Sequence, residues 1–356
     1  MDSSFGKIPD RQNKPDSQAT GKNIFAKSSE KLKQKAEEFA FASHISEGSY
    51  STIAKRLEGK SVLFVMPSKE AKESFSQVNS RIIGSMGAVA DYAVGPFIAL
   101  DCAKKFTYDY IIGSTGHKLG MDFIRSALFL EYGIYSRVGE LAPYPGTSSG
   151  DDFKKFYSAM VPELVKIRDA SKRKKLKIEG LKYCDGYSYD ALKYMEGGRI
   201  LVVNRKEESL DFLDFVLSPI ESSLGIRLDF ADSDAAAADM LSKKSYSIVV
   251  SDTIISKVDR DRLGNEIMGS DKKYLASALT GFDLSSHVKE SLSNYETAFF
   301  AVYATGSMKL RDNTGPGKLF DYSQELPIKP ENLFTGLARS YVRHRLWLHG
   351  YFEATG

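Results

Sequence analysis

An α/β fold of two doubly wound parallel-sheet domains in tandem is predicted by three observations. Short, nearly continuous apolar runs alternate with amphipathic helical patterns, the signature of parallel strands covered on both faces. One such strand-helix stretch recurs without a gap at an offset of 138 residues. A chain of 356 residues, 42% hydrophobic and 27% charged, is also long enough to give each copy its own core.

Residues 1–27 are rich in Ser, Lys, Asp, Gly and Pro and read as a flexible tail. Residues 28–57 contain helix formers with apolar groups at three-to-four spacing, a helical extension of one or two helices. A first domain is expected over 58–178. There "SVLFVMP" reads as a strand and "SKEAKESFSQVNSRIIGSMG" as a Ser-capped helix. "AVADYAVG", "FIALDCAKKF" and "YDYIIGST" follow as strand, helix and strand. Residues 179–198, Tyr- and Gly-rich, form a connector with room for one short helix.

The second domain, 199–346, repeats the first: the offset pairs Gly87 with Gly225, Asp91 with Asp229, Ala93 with Ala231, Lys105 with Lys243, and Tyr108 with Tyr246. Beyond it, "FYSAMVPELVKIRDASKRKKL" resembles "SQELPIKPENLFTGLARSYVRHRL", which sets Pro162 opposite Pro330 and Val161 opposite Lys329. The second copy then carries about 30 extra residues, an insertion placed at 256–296, and 347–356 form a C-terminal tail. Five strands are expected in each sheet.

A net charge of +3 gives no reason to expect nucleic acid or an anionic membrane. The one dense basic run, "SKRKKLK", lacks interleaved aromatics and reads as the solvated end of a helix. Cys102 and Cys184 form no CxxC pair, so no disulfide framework or cysteine metal site is expected, and a reducing cytoplasm fits. No uncharged apolar run reaches the roughly 20 residues that span a bilayer. The five histidines show no paired metal-ligand spacing, and neither a phosphate-cradling GxxxxGK[ST] loop nor a GxSxG turn occurs.

In a parallel sheet of this kind the carboxyl ends of the strands line the binding edge. In the second copy those ends carry Asn204, Arg205 and Lys206, then Asp252, then Tyr303 or Thr305, and finally Lys329 before Pro330. The third-strand aspartate, the "ATGS" end of the fourth strand, the "IKP" step and the strand-helix order together resemble the receiver domain of two-component response regulators, a CheY-like, flavodoxin-like fold. The resemblance implies Asp252 as phosphoacceptor, with Lys329, Thr305, Asn204 and Arg205 around the phosphate pocket. It also implies Mg²⁺ held by an acidic pair after the first strand, but Asn204 and Arg205 stand there instead.

Three readings of Asp252 stay open: acceptance of phosphate, an ion pair with Lys329 or Arg205, and a helix cap. The first copy is a degenerate version, with Met66, Ser114 and Val161 at the corresponding positions. A signalling or scaffolding protein built from two receiver-like domains is therefore expected, with no catalytic residue, no cofactor and no metal ligand assigned. A phosphorylation-switched response regulator and an enzyme on a flavodoxin-like fold are the alternatives. The implied partners are proteins: a histidine kinase, a phosphotransfer protein, or a second copy bound through the face around residues 332–345.

Overall fold

The computed structural model describes residues 45–135, 137–142, 144, 150–170, 181–204, 207–252, 284–285, 295–303, 314–315, 318, 320–325 and 328–349. The first unit begins with α1 (Glu47–Leu57) and continues β1 (Ser61–Met66), α2 (Lys69–Ser85), β2 (Val89–Val94), α3 (Gly95–Lys105), β3 (Tyr110–Gly113), α4 (Met121–Tyr132), β4 (Arg137–Glu140) and α5 (Gly150–Ala170). The connector holds α6 (Gly186–Leu192) and a 3₁₀ turn, Lys193–Met195. The second unit runs β5 (Arg199–Val203), α7 (Glu207–Leu217), α8 (Pro219–Leu224), β6 (Arg227–Ala231), α9 (Asp234–Lys243), β7 (Ile248–Asp252), β8 (Ala298–Tyr303), β9 (Tyr322–Glu325) and α10 (Pro330–Leu348).

Local chemistry sets the boundaries. Ser68 and Ser233 cap α2 and α9 by accepting from Ala71 and Ala236 backbone N–H groups, at 3.2 and 3.3 Å. Asp185 caps α6 on the N–H groups of Tyr187 and Ser188, both at 2.9 Å. Gly225 ends α8 at φ 63°, a left-handed conformation that a Cβ would strain.

All strand pairs are parallel, in the orders β2-β1-β3-β4 and β6-β5-β7-β8-β9. The second is the doubly wound order 2-1-3-4-5 of flavodoxin-like domains. The register obeys the sequence offset residue by residue. Val62 faces Tyr110 where Ile200 faces Ile248, and Ser61 faces Val89 where Arg199 faces Arg227. The residues shared by the two copies have structural work in both. Tyr108 donates to Asp91 at 2.8 Å and Tyr246 to Asp229 at 3.0 Å, each tying the turn before the third strand to the second. Gly87 and Gly225 both turn at positive φ, 74° and 63°.

The first sheet departs from expectation: among the described residues it has four strands, not five. The landmark behind the fifth also fails. Pro162 lies inside α5, so Val161 is a helical residue and not the counterpart of Lys329 at a strand-to-helix step. The helix accommodates Pro162 because it and Ser158, whose carbonyl loses its hydrogen bond, both face solvent, where water can satisfy the group.

Three cores hold the layers together. One, on the outer face of the first sheet, joins α1, α2 and α5 through Ile53, Phe75, Tyr157 and Phe64. Another, on the outer face of the second sheet, packs α9 against Leu201, Val249 and Phe299. The third is shared by both units: Leu63, Val65 and Leu128 of the first belong to one cluster with Leu192 of the connector and Val202, Leu217 and Leu337 of the second. Helices α4, α6 and α10 form its middle layer. The face around 332–345, expected to receive a second copy, is therefore largely occupied within the chain, with Leu333, Leu337, Tyr341 and Leu346 all buried.

Candidate functional site

The carboxyl edge of the second sheet collects the residues that the sequence singles out there. Asn204 follows β5, is buried, and its backbone N–H donates to Ala231 O at 3.0 Å, which fixes it between β5 and β6. Val203 pairs with Ser251, so Asn204 stands level with Asp252 at the end of β7. On the other side Asp252 is in register with Val302, and Tyr303 with Glu325. Lys329 is the exposed N-cap residue of α10, and its carbonyl accepts from Asn332 and Leu333 N–H at 2.9 and 3.1 Å. Arg205 and Thr305 lie outside the described residues.

The same edge of the first sheet is closed. Met66 is 1% exposed and Ser114 7%, and Ser114 N–H donates to Val65 O at 2.9 Å. Gly113 takes φ 148°, where a Cβ would lie 2.0 Å from Val65 O. Gly116, at φ 59°, presses on Pro67, and a Cβ there would lie 2.5 Å from the proline ring. Thr115 Oγ1 donates to Leu119 O at 2.8 Å and accepts from His117 N–H at 3.2 Å, folding the loop onto itself. Glu140, paired with Gly113 at the end of β4, carries a carboxyl that burial and then Asp122 hold above its ordinary range. No sequence motif marks it.

Magnesium requires oxygen ligands and usually one or two carboxylates. At the β5 end the buried Asn204 presents a neutral amide where an acidic pair would be needed, and at the β1 end Met66 presents none. Among the described residues, then, the donor set does not fit a Mg²⁺ centre.

Two buried polar arrangements escaped sequence reasoning. His344, on α10, has Nδ1 3.2 Å from Asp321 Oδ1 and Nε2 2.8 Å from Tyr295 O, and Asp321 also accepts from Phe299 N–H at 2.8 Å. Next to it, Arg343 Nε donates to Glu131 Oε2 at 2.5 Å while its Nη1 donates to Asp321 O at 3.2 Å, joining α10 to α4 across the shared core. Burial pushes the Glu131 carboxyl above its ordinary value in spite of Arg343. A second ionic cluster secures α4 to the connector: Arg125 donates to Asp122 and Asp190, and Lys193 to Asp122. Only Arg125 and Asp122 have a local spacing, three apart on one helix; the partners of Arg343 and His344 lie on other elements.

No family model matches the chain, and no curated protein does. Among solved structures, a signal receiver domain of an HD domain-containing protein from Pseudomonas fluorescens Pf-5 is 17% identical, with a TM-score of 0.31; the match covers 42% of this chain and 97% of that one. The chemotaxis response regulator CheY4 of Vibrio cholerae is 14% identical over 40% of this chain and 98% of its own, with a TM-score of 0.30. An adenylate cyclase structure from Rhodopirellula baltica is 9% identical over 43% of this chain and 93% of its own, with a TM-score of 0.30. The fold assignment itself rests on strand order and register.

Proposed function

We propose that the chain acts in signal transduction by protein contact, as a pair of receiver-like domains whose first member is a degenerate scaffold and whose second retains the acceptor position without its metal site. The observation that carries this reading is the register at the two carboxyl edges. At one level the second sheet sets Asn204 beside Asp252, and the first sets Met66 beside Ser114.

Transfer of a phosphoryl group to a carboxylate brings like charges together, so it needs fixed positive charge at the equatorial oxygens. In the first domain the register puts Met66 and Ser114, and no carboxylate, at the corresponding positions. In the second, Lys329 supplies a cation at the helix N-cap, but Asn204 cannot replace an acidic metal ligand. The covered face of α10 favours the same reading, because a switch transmitted through that helix would have to disturb Arg343, Glu131 and the shared core. Its partners are then proteins that read its surface. The alternative, a phosphorylation-switched regulator served by a histidine kinase or phosphotransfer protein, keeps Asp252 as its acceptor.

The deciding experiment is thermal unfolding of the full chain with Mg²⁺ and beryllofluoride, alongside Asp252→Asn. The scaffold reading expects no ligand-dependent shift in either protein. A Mg²⁺-dependent rise in Tm that Asp252→Asn abolishes would overturn it in favour of the phosphorylated regulator.

A further inference from the structure

From β1 to β3 and from β5 to β7 the repeat provides an internal control for surface residues, since each there has a counterpart 138 positions away in the same fold. Helix α7 buries Leu213 and Val216 and exposes Phe212 and Phe215, at 43% and 75%. Its counterpart α2 carries Ser74 and Gln77 at those two positions, so the fold does not require aromatic groups there. Phe212 and Phe215 are flanked by exposed Asp211 and Asp214. Helix periodicity sets the two phenyl rings side by side with the two carboxylates along one margin.

The opposite arrangement occurs in the first unit. In α3, Ile98 lies in the first turn and is 51% exposed, and at the far end of the helix Phe106 is 61% exposed, directly after exposed Lys104 and Lys105. The counterparts on the second unit, Ala236 and Lys244, are small or polar, and Lys244 is engaged with Asp229 at 3.1 Å. Each unit therefore has one apolar patch that its twin lacks. One is acidic at its margins and the other basic.

We propose that these two patches bind one another between copies of this chain, α7 of one molecule seating on the end of α3 of the next. The apolar groups supply burial, and Asp211 and Asp214 facing Lys104 and Lys105 supply orientation. A second copy joined through α7 alone would set like-charged carboxylates together, so the pairing is head-to-tail. A head-to-tail contact leaves one patch of each kind free at the ends, and association continues into chains instead of stopping at a dimer. The patches are small compared with a standard stable interface, so association is weak and depends on concentration.

The test needs no other partner: sedimentation velocity of the full chain at rising concentration and low salt, with two variants that borrow the residues of the twin repeat. Phe212→Ser with Phe215→Gln removes one patch, and Phe106→Lys removes the other. The wild type is expected to reach a weight-average mass beyond twice that of the monomer by a few hundred micromolar, on the order expected for small, weak contacts. Each variant alone forms no open chains, and a 1:1 mixture of the two recovers association that stops at the heterodimer. A wild type that stays monomeric, a variant that associates as the wild type does, or a mixture that stays monomeric would each overturn the proposal. Should either variant fail to match the wild-type circular dichroism, Asp211→Lys with Asp214→Lys and Lys104→Asp with Lys105→Asp serve as the second pair: each alone stays monomeric, and their 1:1 mixture restores both junctions and forms alternating chains, while a mixture that stays monomeric overturns the proposal.

Discussion

Where the first sheet sets Met66 beside Ser114, the second sets Asn204 beside Asp252, and one residue inward Gly113 of the first corresponds to Ser251 of the second. The strands arrive in the same register in both, and what differs is the residues at their ends. In the first unit Gly113 and Gly116 adopt conformations open to glycine and the loop folds down on Pro67. In the second, Ser251 continues regular strand into Asp252. Duplicated frames thus keep their strands while the residues at the strand ends diverge.

The largest expected effect comes from exchanging those inward residues. Gly113→Ser should cost about 3–5 kcal/mol, because the new Cβ meets the Val65 carbonyl and the backbone must leave its native φ. The reverse change, Ser251→Gly, should cost only about 1 kcal/mol, from lost packing and added chain entropy. Chemical denaturation of both variants measures the asymmetry. Equal costs would show that the two edges are built alike.

A smaller effect is expected at the clasp between the units. Arg343→Met leaves Glu131, 5% exposed, without its cation, and should cost about 3 kcal/mol at neutral pH. The sign with pH follows from the raised carboxyl of Glu131. Its folded form holds a proton more tightly than an unfolded glutamate near 4.3, so stability is greatest below that value and falls as pH rises through the window above it. Without Arg343 the window widens upward, and the deficit of the variant should shrink as pH is lowered towards about 5. Denaturation midpoints between these pH values test it, and a deficit independent of pH would point to packing alone.

The smallest effect is at the paired tyrosines. Tyr108→Phe and Tyr246→Phe each remove one hydrogen bond to an aspartate and should cost about 1 kcal/mol. Burial opposes ionisation of Asp229, but hydrogen bonds from Lys244 and Tyr246 prevail and keep its carboxyl below the usual value. That stabilisation is present above the unfolded value near 3.9 and is lost as pH falls through the lower folded one. The deficit of Tyr246→Phe should therefore disappear at strongly acidic pH. Unfolding curves followed down to about pH 3 would show whether it does.

The sequence made the first three strands of each unit legible because strand alternation and the 138-residue offset reinforce one another, and Tyr108 and Tyr246 mark the same turn in both. It misled where a single residue served as landmark. Proline at a helix start and proline on the solvent face of a helix look alike in a string, and only the packing of Met160 and Leu164 shows that α5 continues through Pro162. Asp252 and Asn204 were legible at the candidate edge since strand ends are local features. The clasp of Arg343 on Glu131 was not, because residues 212 positions apart meet only after both units have folded. The covering of α10 was hidden for the same reason: an amphipathic helix shows how much of it is apolar, not which neighbour supplies the cover.

The shared core has a consequence for how the molecule comes apart. Two domains joined by a loose linker unfold in two steps, and damage to one spares the other. Here Leu128, Leu192 and Leu337 belong to a single cluster, so losing either sheet strips apolar cover from the other. The duplication that multiplied the frame also joined the two copies through one core, so that the unit with the closed edge covers apolar surface of its twin.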